Sequence, residues 1–287
     1  MATIKNYSSF ALMLGLAFTL LFSQDLLAKG SKKNSQTRAP VIFVHGLFVR
    51  DNVYEDIVPL KEVFNDNGYD VHVAYLNKGM SIEIRADNLY NEIKRLVPTG
   101  NFHLIGHSAG GLDSRFALWK YKDLGERCLS LTTMATPHWG SPIADDIIAS
   151  VESGKFSLQG SLFGFVFGQI ENSKELAYEM TTEFTHQFNA YVDNDPRVRY
   201  FSIGFFIEKP FFFHAQAMIW PDHIKMLNWG YELNDGPVPL ESSRWGEVLE
   251  PMAADHFAET SQIKYNNKEV FRDIFANILQ NLDKNFN

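Results

Sequence analysis

Ser108 stands in Gly106-His107-Ser108-Ala109-Gly110, behind the apolar run Phe102-His103-Leu104-Ile105 and ahead of a helical pattern over 112–121. A serine on a sharp turn from strand to helix holds its hydroxyl in the open, on strained backbone. Gly106 and Gly110, two residues to either side, keep Cβ atoms away from the neighbouring strand and helix. The helix behind Ser108 points its positive end at the place where an oxyanion would form. A serine hydroxyl is a weak nucleophile near neutral pH, so it needs a base to take its proton and a carboxylate to hold that base. Of nine histidines, His186, His214, His223 and His256 lie well beyond the serine. His256 is the one that follows a strong acidic candidate in a turn, Asp235 in Asn234-Asp235-Gly236. Asp222, in Trp220-Pro221-Asp222-His223, and Asp255, whose adjacency to His256 would turn it away from the ring, stay open as alternatives. The oxyanion donors expected are the backbone N–H of Ala109 and that of Leu47 in His45-Gly46-Leu47. His45 and His107 flank the site and read as hydrogen-bonding residues that fix its two loops. No carboxylate stands at ligand spacing from either, which argues against a metal.

These groups need a scaffold. Residues 39–44 form a continuous apolar run suited to a buried parallel strand, and 69–75 alternates as the next strand. Helices are expected over 53–67, with Pro59 as a break, and over 81–97. Another strand is expected over 128–135, closed by Thr136-Pro137-His138-Trp139-Gly140-Ser141. This alternation implies an α/β fold, a mostly parallel central sheet with right-handed crossovers and helices on both faces. Ligands of such sheets bind beyond the carboxyl ends of the strands, which is where His45, Ser108 and Thr136 all fall.

An insertion at about 142–196 breaks the pattern. Within it, 155–170 carries no charge after Lys155, and Gly160, Gly164 and Gly168 recur every fourth residue beneath a Phe/Leu/Val surface. One reading is a core helix packed through its glycines; the reading preferred here is a mobile apolar lid. Phe163 and Phe167 of that segment, with Phe48 and Trp139, are the expected substrate contacts. One helix is expected over 173–191, with Leu176, Met180, Phe184 and Phe188 spaced by four, then a strand over 197–205. The Phe-rich tract 205–213 reads as a loop bordering an apolar pocket or as core filling. A short strand should precede the turn cluster 234–239, and a helix over 270–282 closes the chain.

The 287 residues, 45% hydrophobic, suffice for one large domain over 39–287. The net charge is −8, and no Lys/Arg run offers a stripe for phosphates, which excludes nucleic acid as an expected partner. Lys5, the apolar run 10–22 and the small residue Ala28 read as an export signal over 1–28, with an uncleaved anchor as the alternative, and 29–38 reads as a polar, flexible leader. That places the protein in the secreted or periplasmic space. The single cysteine, Cys128, excludes an internal disulfide and reads as a small buried hydrophobe.

Together, Val41-Ile42-Phe43-Val44-His45-Gly46-Leu47, Leu104-Ile105-Gly106-His107-Ser108-Ala109-Gly110-Gly111, Thr136-Pro137-His138-Trp139-Gly140-Ser141, Asn234-Asp235-Gly236 and Asp255-His256 resemble the bacterial triacylglycerol lipases of the Pseudomonas/Burkholderia type. The resemblance runs from Pro40 to about Gln262. It implies the α/β-hydrolase fold, a helical lid over the site, and ester hydrolysis through an acyl-enzyme; the apolar segment 155–170, read as that lid, would touch membrane or lipid surfaces transiently. It implies Ser108 as nucleophile, Asp235 as acid, His256 as base, and Leu47 and Ala109 as oxyanion donors. A phospholipase or acyltransferase of the same fold is the nearest alternative, and a non-catalytic lipid-binding protein a more distant one. Two departures stand out. Many family members hold a structural calcium with an aspartate two positions after the histidine, where this chain has Ala258, so no metal or other cofactor is expected. Many also carry a disulfide, which the lone Cys128 cannot form. Some members require a foldase chaperone, which the resemblance brings in as a candidate partner.

Overall fold

The computed structural model describes residues 38–47, 58–77, 79–154, 173–208, 216–257 and 268–282. Tertiary contacts divide the chain into Met1–Arg38 and Ala39–Asn287, and all that follows concerns the second unit. The signal-like segment, the lid segment 155–170 with Phe163 and Phe167, Phe48, His214 and Ala258 lie outside the described residues.

Among the described residues, the six strands of the main sheet are β1 (Val41–Val44), β2 (Val71–Ala74), β3 (Phe102–His107), β4 (Cys128–Met134), β5 (Arg199–Ile203) and β7 (Glu247–Val248). All run parallel, in the order β2-β1-β3-β4-β5-β7. The chain leaves β1 for β2 on one side and returns to β3 on the other, so β1 and β3 flank the point where the strand order reverses. Ligand sites of open α/β sheets form at this point. Here β1 pairs with β3 from Val41↔His103 to Val44↔Gly106, which brings the ends of both strands to one level.

β1 and β3 are buried along their whole length, because helices cover both faces. Successive strand residues serve opposite cores. Ile42, Val44, Leu104 and Leu131 pack with Leu89, Ile93, Leu112 and Ala117, from α2 (Ile82–Leu96) and α3 (Ala109–Lys120). Val41, Phe43, Ile105, Met134 and Phe201 pack with Leu60 and Phe64 of α1 (Val58–Asp66) and with Ile274, Phe275 and Ile278 of α9 (Lys268–Leu282). Each fully buried Leu, Ile, Val or Phe contributes about 1.5–3 kcal/mol, so this two-faced burial dominates the stability of the sheet. α3 is buried on every side from Ala109 to Leu118, as suits a central helix beneath the site.

Several elements depart from the sequence reading. A short α4 (Lys122–Arg127) follows α3 directly. The helix expected over 173–191 is two helices, α6 (Ser173–Glu179) and α7 (Thr182–Tyr191). Thr181 caps α7 by accepting from Phe184 N, and Asp145 of α5 (Pro142–Glu152) accepts from Thr182 N at 2.9 Å, so local hydrogen bonds override the four-residue periodicity. The strand expected over 197–205 splits at Gly204 into β5 and β6 (Phe205–Phe206); β6 pairs with β8 (Met252–Ala253) in a separate parallel ladder. Among the described residues, no strand runs directly into the 234–239 turn, where Asn234 forms an isolated bridge with Pro239. A helix the sequence reading left out, α8 (Gln216–Asn228), fills the stretch before it and contains Pro221.

Candidate active site

Ser108 occupies the turn between β3 and α3 with φ 54° and ψ −129°. Such a conformation costs a non-glycine residue about 1–3 kcal/mol and persists only where its surroundings over-determine it. Here they do. Ser108 N donates to Met134 O at 2.8 Å, and the Thr136 hydroxyl donates to Ser108 O at 2.8 Å. The glycines let backbone approach backbone. A Cβ on Gly106 would lie 2.8 Å from Gly110 O, one on Gly110 would strike the carbonyls of Val44 and His45, and one on Gly46 would lie 2.8 Å from Ser108 Cβ.

His256 reaches this turn from β8. Met252 N donates to Gly204 O and Ala254 N to Phe206 O, which carries the chain alongside β6. His256 Nε2 then lies 3.0 Å from Ser108 Oγ, and Nδ1 lies 2.7 Å from Asp235 Oδ2. A carboxylate only accepts, so Nδ1 carries the proton and Nε2 faces the hydroxyl with its lone pair, a tautomer assigned from the hydrogen-bond network. All three residues are buried.

Asp235 is held on several sides. Its Oδ1 accepts from Val238 N at 2.8 Å and its carbonyl accepts from His256 N at 3.0 Å. The preceding Asn234 accepts from Gly236 N through Oδ1, and its carbonyl accepts from Ile207 N. His223 Nδ1 donates to the same Asn234 Oδ1 at 2.8 Å. Of the alternatives considered from the sequence, Asp255 Oδ1 accepts from Phe257 N, and Asp222 is buried on α8. Of the other late histidines, His186 packs its ring at 5.6 Å from that of Trp139.

The two expected oxyanion donors belong to elements that meet at Ser108. Ala109 is the first residue of α3, one of the positions whose N–H has no partner within its helix. Leu47 is buried just after Gly46, which itself presses on Ser108. His45 fixes that turn: its Nδ1 donates to Gly46 O at 2.7 Å while Nε2 accepts from Leu76 N at 3.2 Å. His107 hydrogen-bonds the His256 backbone, and its ring lies 4.9 Å from the His256 ring. Burial, with the neighbouring His256 and His45, drives its pKa well below the ordinary histidine value, so it stays neutral.

Sequence reasoning missed a buried ion pair beside this turn. Arg85 of α2 places Nε 2.9 Å and Nη2 2.6 Å from Asp113 Oδ2 on α3, and the same Nη2 donates to His45 O at 3.1 Å. Both residues are 0% exposed. Burial pushes Asp113 up to about 6 against the opposing pull of Arg85, which leaves it ionised at neutral pH. The signal was present: Arg85 interrupts the apolar stripe Ile82, Ala86, Leu89 and Ile93 of an otherwise amphipathic helix.

Trp139 is 40% exposed and borders a cavity of about 330 Å³ with Thr182, His186, Tyr231, Pro239 and Glu241. None of Ser108, Asp235 or His256 lines it. Cys128 is buried, and burial pushes its thiol pKa up, so it is not a nucleophile. Among the described residues, no group of three or more His, Cys, Asp or Glu side chains could hold a metal ion, and no helix is long and apolar enough to cross a membrane.

The architecture matches that of known lipases. The mature lipase of Bacillus licheniformis superposes with a TM-score of 0.67 over 88% of this chain and 94% of its own, at 21% identity. The chain has the α/β-hydrolase fold. In sequence it is similar to curated triacylglycerol lipases, as its motifs suggested. Triacylglycerol lipase 2 of Saccharomyces cerevisiae is 30% identical over 216 residues, which cover 69% of this chain and 61% of that protein. The triacylglycerol lipase of Burkholderia plantarii is 38% identical over 118 residues, covering 38% of this chain and 32% of its own length. The chain thus spans less than two thirds of either relative. No protein-family model matches it.

Proposed function

We propose that this protein is a serine-dependent carboxylic ester hydrolase acting on lipid esters, a triacylglycerol lipase or carboxylesterase, exported by its N-terminal signal. One observation carries the reading: a strained serine whose hydroxyl meets His256 Nε2 at 3.0 Å, with the opposite ring nitrogen 2.7 Å from a buried carboxylate. In this reading His256 takes the Ser108 proton as Oγ attacks the ester carbonyl. Asp235 holds the imidazole in the right tautomer and stabilises the imidazolium. The tetrahedral oxyanion rests on the N–H groups of Ala109 and Leu47. His256 then protonates the departing alcohol, leaving an acyl group on Ser108. Water, deprotonated by the same ring, attacks that acyl group and releases the carboxylic acid and free serine. No cofactor takes part. The names of the sequence relatives support a lipid ester as substrate, and the apolar segment 155–170 supports contact with a lipid surface.

The test is turnover of p-nitrophenyl esters by the full chain and by Ser108→Ala. The substitution should abolish turnover, a loss on the order of 10⁶-fold, while circular dichroism and thermal midpoint stay unchanged. Comparable turnover by a folded Ser108→Ala protein would sink the proposal. A chain-length series of esters, run below and above their solubility, then separates lipase from esterase: the lipase reading expects a jump in rate once an interface forms.

A further inference from the structure

We propose that Arg85 and Asp113 are positioning residues for the oxyanion hole, joined so that they hold its two halves in register. The inference rests on the ester-hydrolase reading above and adds residues that no motif contains. Asp113 lies one turn along α3 from Ala109, which would supply one donor. Arg85 grips His45 O, two residues before Leu47, which would supply the other. The ion pair therefore ties the helix behind the nucleophile to the loop that faces it. The His45 carbonyl is confined from the other side as well, because Gly110 of α3 leaves no room there for even a methyl group. A guanidinium is well suited to such a tie. It can direct two N–H groups at one carboxylate and share one of them with a carbonyl, which a lysine ammonium cannot do in the same plane.

A merely structural ion pair predicts something different. Breaking a buried pair on one side destabilises a fold, whereas replacing both partners with apolar groups is often neutral or stabilising. The experiment compares Arg85→Met, Arg85→Lys and the double variant Arg85→Met/Asp113→Leu with the wild-type chain. Positioning predicts that kcat on a soluble p-nitrophenyl ester falls by about 10- to 100-fold in Arg85→Met with KM little changed, as a loosened oxyanion donor would. Inhibition by an arylboronic acid, which mimics the tetrahedral intermediate, should weaken by a similar factor. The double variant should recover its thermal midpoint yet keep the loss in kcat, and Arg85→Lys should fall in between. Native-state hydrogen exchange at residues 45–47 should accelerate in both Met variants. Recovery of kcat along with the midpoint in the double variant, or unchanged boronate affinity and exchange, would overturn the proposal. A wild-type chain with no turnover would instead count against the hydrolase reading, and exchange at 45–47 would still judge the ion pair.

Discussion

Ser108 sits where β3, α3 and the end of β1 press backbone against backbone, whereas Asp235 and His256 arrive on loops tied by hydrogen bonds to one short segment, 204–207. In the first region, glycines with no room for a Cβ and two apolar cores leave a single way to seat the turn. In the second, Gly204 O accepts from Met252 N, Phe206 O from Ala254 N, and Ile207 N donates to Asn234 O, so that segment positions base and acid together. The Asp235 backbone joins them by accepting from His256 N. Packing thus defines where the nucleophile stands, and polar tethers define what faces it. Overpacking the backbone of the first region should be read out in stability; loss of a polar tether in the second should be read out in turnover by a protein that still folds.

The sharpest test of this contrast is Asp235→Asn. The amide retains the shape, and its oxygen can still accept from Val238 N. It offers N–H rather than an acceptor to His256 Nδ1, so the imidazole is held in the wrong tautomer. A fall of about 10³- to 10⁴-fold in kcat is expected, with a thermal midpoint close to that of the wild type. A variant that loses its fold in step with its activity would show that the second region also rests on packing.

Gly110→Ala probes the other side and should do less to the chemistry of the molecules that remain folded. Its methyl group would meet the carbonyl oxygens of Val44 and His45, which are backbone and cannot swing away. Overpacking of this kind costs about 1–3 kcal/mol, and roughly 2–4 °C of midpoint accompanies each kcal/mol in a chain of this size. An unchanged midpoint would mean that the turn has more freedom than its contacts indicate.

The same contrast explains what was legible in the sequence. The strands β1, β3 and β4 and the elbow at Ser108 are local patterns: a continuous apolar run, a strand-to-helix turn and two flanking glycines. Their parallel direction follows from the strand–helix alternation, whereas their order in the sheet comes only from the fold. Asp235 was separable from Asp222 and Asp255 only through turn chemistry and the motif resemblance, because no local pattern records a contact between residues far apart in the chain. α8 was missed because Pro221 breaks the helical pattern, although it lies within a helix of 13 residues. The division of 173–191 was missed because Thr181 and Asp145, not hydrophobic spacing, decide it. Arg85 and Asp113 are a different case. Each is visible as a charge on a helix, but only the fold shows that the two charges are buried against each other and that Arg85 also donates to the His45 carbonyl.

The smallest effect asks how far packing governs the first region when a charge is left inside it. Glu179, at the end of α6, accepts from Ile82 N at 2.8 Å at the start of α2. Burial raises its pKa to about 7, the Ile82 N–H works against that rise, and Asp113 adds to it while Arg85 opposes it. A carboxyl whose folded pKa lies above its unfolded value of 4.5 is favoured in its protonated form. Its contribution to stability is therefore complete below about 4.5 and is lost as pH rises through about 7. Glu179→Gln keeps the acceptor for Ile82 N and removes the charge, so the variant should match the wild type at pH 4.5 and exceed it in midpoint at pH 8. Each kcal/mol relieved should appear as about 2–4 °C. Thermal melts of both proteins across that range check the sign. A gain that is the same at every pH, or a loss that grows toward pH 8, would mean that the carboxylate is stabilised by its neighbours rather than tolerated by the packing around it.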